Sequence, residues 1–93
     1  MFWADWCPHC QKLKPIFETT AQKSPQIRFE VNVDRKPEIA LRYGVQSIPM
    51  VKFFCKGSEI GRITGYRQKE DLEREIKRIS ENAEWCLAHT TLR

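Results

Sequence analysis

The sequence predicts an α/β domain, one mixed four-stranded sheet flanked by helices. Three observations carry this: apolar periodicity that switches between strand-like alternation and helical stripes, a tight hairpin signal past the middle of the chain, and a closing amphipathic helix. Ninety-three residues supply one hydrophobic core and no material for a second. With 41% apolar residues and no low-complexity stretch, the chain is expected to fold rather than remain disordered.

Phe2-Trp3-Ala4 reads as the end of a buried strand, followed by Asp5-Trp6. From Pro8 a helix is expected, since proline is tolerated in a first turn and Leu13, Ile16, Phe17 and Ala21 make one apolar stripe. Pro15 should kink it and Ser24-Pro25 should end it. Arg28 to Val33 alternates, with Phe29, Val31 and Val33 on one face and Glu30 and Asn32 on the other, which predicts a strand. Pro37 opens a short helix through Tyr43, stopped by Gly44 as a left-handed cap. Met50 to Cys55 and Glu59 to Thr64 form an antiparallel hairpin turned by Lys56-Gly57-Ser58. Leu72, Ile76, Ile79 and Ala83 mark the last helix. A single domain over 1–83 and a C-terminal tail over 84–93 follow.

A net charge of +4 and a pI near 9.0 invite a nucleic-acid reading, which the distribution opposes. The basic residues between Arg67 and Arg78 alternate with Glu70, Asp71, Glu73 and Glu75, and Glu70/Arg74 and Glu73/Lys77 stand at i,i+4 spacing. That is a solvated helix face, so no nucleic-acid partner is expected. No apolar run approaches the roughly 20 residues that span a bilayer, and no leader pattern is visible, so no membrane partner is expected either. A cytoplasmic location is the expectation, with the proviso that an upstream segment could have carried a targeting signal.

The close pair Cys7/Cys10 differs in kind from the isolated Cys55 and Cys86. Cysteines three apart at a helix start share a face and can form a disulfide. The first sits where the helix N–H groups lack partners and the macrodipole is positive, which favours its thiolate over that of a free thiol with pKa about 8.5. Cys7 is therefore the expected nucleophile and Cys10 its resolving partner. His9 can offer the same sulfur an N–H or a positive charge, so a stabilised thiolate would favour the dithiol and lean the pair towards oxidising others. Two other readings stand beside this one. Cys7 and Cys10 could be half of a zinc site completed by His9 with Cys86 or His89, although structural zinc sites bring two recognisable ligand pairs. A purely structural disulfide would close so short a loop that it constrains the unfolded chain little. No metal and no organic cofactor are expected. Cys55 is expected as an inert buried thiol, and Cys86 as a surface thiol through which two chains could link, the chain otherwise being a monomer.

The segment Phe2-Trp3-Ala4-Asp5-Trp6-Cys7-Pro8-His9-Cys10 resembles the active-site segment of the thioredoxin family. Pro15 in the following helix, Asn32-Val33-Asp34, Tyr43-Gly44-Val45-Gln46-Ser47-Ile48-Pro49, the Phe53-Phe54 to Lys56-Gly57 hairpin and Gly65 continue the likeness, in order, to about Asn82. The resemblance implies a thioredoxin-like fold and thiol-disulfide exchange between Cys7/Cys10 and protein thiols or disulfides, with a redox recycling partner. It further implies a cis Ile48-Pro49 bond facing the disulfide, Ile48 backbone groups that pair with an extended substrate, Gly65 lining the same groove, and Trp6 shaping the rim while Pro8 and His9 tune the thiolate.

The chain departs from the family in three ways. Pro-His between the cysteines resembles the disulfide oxidases of the family, whereas thioredoxins carry Gly-Pro, so the direction of exchange is open. The family's usual first strand and helix are lacking. Its buried acid, which helps move the resolving cysteine's proton, is replaced by Met1. Glu30, on the neighbouring strand, is the candidate substitute. A catalytically weak protein-binding module of the same fold is the alternative function.

Overall fold

In the computed structural model, which describes residues 1–22 and 29–88, the elements come in the expected order. They are β1 (Phe2–Trp3), α1 (Pro8–Ala21), β2 (Val31–Asn32), α2 (Pro37–Arg42), β3 (Met50–Cys55), β4 (Ser58–Thr64) and α3 (Lys69–Ala88). The sheet order is β2-β1-β3-β4, with β1 parallel to β2 and antiparallel to β3, and β3 antiparallel to β4. β1 is central yet minimal. Its backbone is held on the β2 side by Val31 N–H to Met1 O at 2.8 Å and Val33 N–H to Trp3 O at 2.9 Å.

The hairpin forms as expected, but Ser58 is not part of its turn: it opens β4 opposite Cys55, which leaves the two-residue turn Lys56-Gly57. Lys56 at φ 53° and Gly57 at φ 83° both take left-handed backbone, the geometry whose twist suits adjoining antiparallel strands. α2 ends one residue before the expected Tyr43, and Gly44 at φ 67° reverses the chain as expected.

The strand expected over Arg28 to Val33 is a correction. Only Val31–Asn32 is strand, Phe29 is 75% exposed, and Asn32 is 7% exposed although it was assigned to the polar face. Asn32 Oδ1 accepts hydrogen bonds from the N–H groups of Asp34 (2.9 Å) and Arg35 (3.2 Å), so burying this amide satisfies the turn after β2. Hydrophobic alternation is blind to that local bonding. Ser24-Pro25 and Arg28 lie outside the described residues.

Leu13 and Phe17 of α1, Val51 of β3, Ile63 of β4 and Leu72, Ile76 and Ile79 of α3 form one buried cluster, so both long helices cover the same face of the sheet. On the other face, Tyr43 at the end of α2 meets Phe2 at 6.2 Å and Phe54 at 5.3 Å between ring centroids. α1 runs on through Pro15, and Ile16 of the expected stripe is only half-buried. Along α3, Arg74 pairs with Asp71 one turn back, and Arg67 before the helix reaches Glu75.

The close approach of β4 to α3 depends on Gly61. A Cβ there would stand 2.9 Å from Cγ2 and 3.0 Å from Cγ1 of Ile79, whose 3% exposure leaves it little room to step aside. Gly61→Val should therefore cost about 1 to 3 kcal/mol of stability. Urea unfolding checks this, and an unchanged midpoint would mean that α3 can lift from the hairpin freely.

Two further expectations are corrected at the C-terminal end. α3 continues to Ala88, so the domain boundary placed at residue 83 falls inside a helix and residues 84–88 are its last turns. Cys55 and Cys86 are neither an inert thiol nor a free surface thiol. They are joined as a disulfide, with Cα atoms 6.6 Å apart and a sequence separation of 31. Cys86 lies seven residues, close to two turns, beyond Ile79, so it continues the inward stripe of Leu72, Ile76 and Ile79.

Candidate active site

The chain turns from β1 into α1 at Ala4 to Cys7, with Cys7 N–H bonded to Ala4 O at 3.3 Å. Cys7 is the N-cap of α1, in extended conformation at φ −92° and ψ 110°, and Pro8 follows as the first helical residue, where its missing N–H costs nothing. The Cys7 sulfur accepts a hydrogen bond from the Cys10 N–H at 3.2 Å, in the manner of a capping side chain. Cys7 and Cys10 are joined as a disulfide with Cα atoms 5.2 Å apart. Exposure of 4% and 1% leaves the pair almost covered, among Ala4, Trp3, Val33 and Ile48.

The loop before β3 lies across from this turn. The Ile48-Pro49 bond is cis, as the resemblance implied, and the Ile48 carbonyl oxygen stands 4.0 Å from the Cys7 sulfur. In the disulfide state that sulfur carries no proton, so this is a contact and not a hydrogen bond. Pro49 is buried, and its carbonyl accepts from the Gly65 N–H at 2.8 Å, with Gly65 at φ 85°. Ile48 is thereby brought beside Cys7, and Gly65 is tied to the Pro49 that follows it.

The rim is polar and pinned. Trp6 is 66% exposed, with its indole N–H donating to Asp34 Oδ2 at 2.7 Å. Asp34 stands on the turn that Asn32 holds, and Gln11 Nε2 donates to Asp5 O at 2.6 Å. Pro8 and His9 are exposed, and the His9 ring lies 6.3 Å from that of Tyr66. The sequence reading passed over Asp34 as the support of Trp6 and Tyr66 as the neighbour of His9. The first stood in the Asn32-Val33-Asp34 segment, while nothing local to Tyr66 signals its contact.

Glu30 stands in a less direct place than expected. It pairs with Lys14 Nζ at 3.8 Å, and Lys14 also lies 3.8 Å over the Trp3 ring. Lys14, one turn after Cys10, lines a recess of about 300 Å³ together with Cys10, Trp3, Asp5, Gln11 and Pro15, and Glu30 is not part of its wall. Burial, then a hydrogen bond and repulsion from Glu18, push the Glu30 carboxyl above its usual range against the opposing pull of Lys14.

The larger groove, about 1070 Å³, runs past Phe29, Val31, Phe53, Phe54 and Ile60 and touches neither Cys7 nor Cys10. Exchange with a protein disulfide is a reaction between sulfurs and needs no deep pocket. The zinc reading that joined His9 to Cys86 does not fit, because Cys86 is bonded to Cys55 at the far end of β3. His89 lies outside the described residues.

The thioredoxin family model matches residues 1–78. The thioredoxin of Chlamydia caviae is 39% identical over 80 residues, covering 85% of this chain and 78% of the relative, and that of Rickettsia bellii is 38% identical over 73 residues, covering 76% and 70%. Among solved structures, a thioredoxin mutant from Halobacterium salinarum superposes with a TM-score of 0.75 at 31% identity, covering 84% of this chain and 69% of that one. The Fasciola hepatica thioredoxin gives 0.73 at 33%, covering 83% and 74%. With a dithiol pair closed at the mouth of a helix, the chain is a protein thiol-disulfide oxidoreductase, and it belongs to the thioredoxin family.

Proposed function

We propose that Cys7 is the sulfur that attacks a substrate disulfide and Cys10 the one that resolves the mixed disulfide. The observation that carries this is the Cys10 N–H aimed at the Cys7 sulfur from the first turn of α1. On reduction the same N–H and the helix dipole stabilise a thiolate at Cys7, whereas the Cys10 sulfur lies a turn inside. Titrating thiolate absorbance in the reduced protein tests the assignment. A Cys7 thiol that ionises like a free cysteine would overturn it.

Ile48 backbone groups, with Pro49 and Gly65 behind them, are read as the place where an extended substrate segment pairs, and Trp6 as the rim that shields the sulfurs. Recycling needs a separate dithiol or disulfide partner. Cys86 being engaged within the chain supports a monomer.

Glu30 is read as acting on the Cys10 proton through Lys14, which shares the recess with Cys10, and so as a positioning residue. A carboxyl that holds its proton above the usual range exchanges it nearer to neutral pH. Glu30→Gln should slow resolution of the mixed disulfide several-fold and remove the acidic limb of its pH profile. Rapid-quench kinetics from pH 5 to 9 measure both, and an unchanged profile removes Glu30 from the proton path.

A further inference from the structure

We propose that Cys55 and Cys86 form a second thiol-disulfide site, independent of Cys7/Cys10, which exchanges with low-molecular-weight thiols of the glutathione class and clamps the far end of α3 to the sheet. Independence follows from distance. Ile48 touches Cys7, and Cys55 lies seven residues further along at the other end of β3, about 20 Å away at the rise of a strand. No sulfur of one pair reaches the other within a chain.

The clamp follows from where α3 is otherwise held. Leu72, Ile76 and Ile79 pack its first half into the core, and Cys86 adds a covalent tie seven residues beyond Ile79, about 10 Å further along the axis. The tie joins α3 to β3 next to the hairpin turn, so it spans β4 and nearly all of α3 in sequence.

The chemistry follows from unequal access. Cys55 is 7% exposed and Cys86 is half-buried, so an incoming thiolate meets the Cys86 sulfur first. Attack there forms a mixed disulfide at Cys86 and breaks the bond to Cys55, which leaves as thiolate and takes up a proton. A second thiolate attacks the small molecule's sulfur, forms its disulfide and releases Cys86, which is protonated in turn. Two thiols are oxidised, and the protein pair gains two electrons and two protons. The state of the clamp thus tracks the thiol pool of the compartment, closed under oxidising and open under reducing conditions.

The test uses the full chain with Cys7→Ser and Cys10→Ser together, which leaves the second pair alone. The protein is equilibrated in glutathione buffers of graded ratio, alkylated for mass spectrometry, and melted by circular dichroism. Cys55 and Cys86 should become alkylated together in one two-electron step, and the melting temperature should fall by about 10 °C across it. In the otherwise native chain, Cys86→Ser should melt low at every ratio while keeping disulfide reduction within about twofold. Thiols already free after air oxidation, a pair that stays closed in every buffer, or equal melting of both states would overturn the proposal. So would loss of exchange activity in Cys86→Ser, which would show the two sites to be coupled.

Discussion

Cys7→Ser should lose disulfide exchange by at least about a thousandfold, the scale on which removal of an essential nucleophile slows an enzyme, while Cys10→Ser should keep the first attack and stop at the mixed disulfide. The asymmetry rests on the turn itself. The Cys7 sulfur is the N-cap atom, receives the Cys10 N–H at 3.2 Å and faces the Ile48 carbonyl, so it stands where the helix mouth and the loop before β3 converge. A serine hydroxyl there is neither ionised near neutral pH nor able to attack sulfur. Cys10 lies at 1% exposure, out of reach of a protein substrate but one turn from Cys7, so its loss leaves attack possible and release impossible. Turbidimetric insulin reduction measures the first variant, and non-reducing gels of Cys10→Ser with a protein disulfide measure the second. Mixed disulfide formed by Cys7→Ser but not by Cys10→Ser would exchange the two roles.

Much of this was legible in the sequence because its signals are local. Pro8 after Cys7, Leu13 and Phe17 of the α1 stripe, Gly44 and the left-handed Lys56-Gly57 pair each depend on one short segment, and each stands where expected. What failed was side-chain hydrogen bonding, which apolar alternation does not register, and tertiary contact. The alternation around Asn32 misassigned its face because the amide's partners are turn N–H groups rather than water. Glu30 stands just before β2 rather than on it, and its ion-pair partner, Lys14, is on another element that no local signal names. Cys86 was read as a tail thiol because the inward stripe was stopped at Ala83, although the next position at helical spacing is a cysteine. Cys55, at the end of β3, could be identified as its partner only once both ends were in space.

Leu13→Ala should cost about 2 to 5 kcal/mol and lower the melting temperature by about 10 to 20 °C. A chain of this size has roughly 5 to 14 kcal/mol of total stability, so the loss is a large share. Leu13 is 0% exposed and sits three residues after Cys10, in a cluster with Val51, Ile63 and Leu72. It is the residue by which the site end of α1 is held against β3, β4 and α3. Ile16→Ala, on the half-buried flank of the same stripe, should cost clearly less. Since α1 carries the N–H that faces the Cys7 sulfur, loosening this anchor should also weaken that bond. The folded Leu13→Ala protein, once reduced, should therefore show a Cys7 thiol that ionises at higher pH than in the parent. Urea unfolding and thiolate titration separate the two effects. A destabilised variant with an unaltered titration would mean that the β1-to-α1 turn holds the sulfur by itself, without the core beneath it.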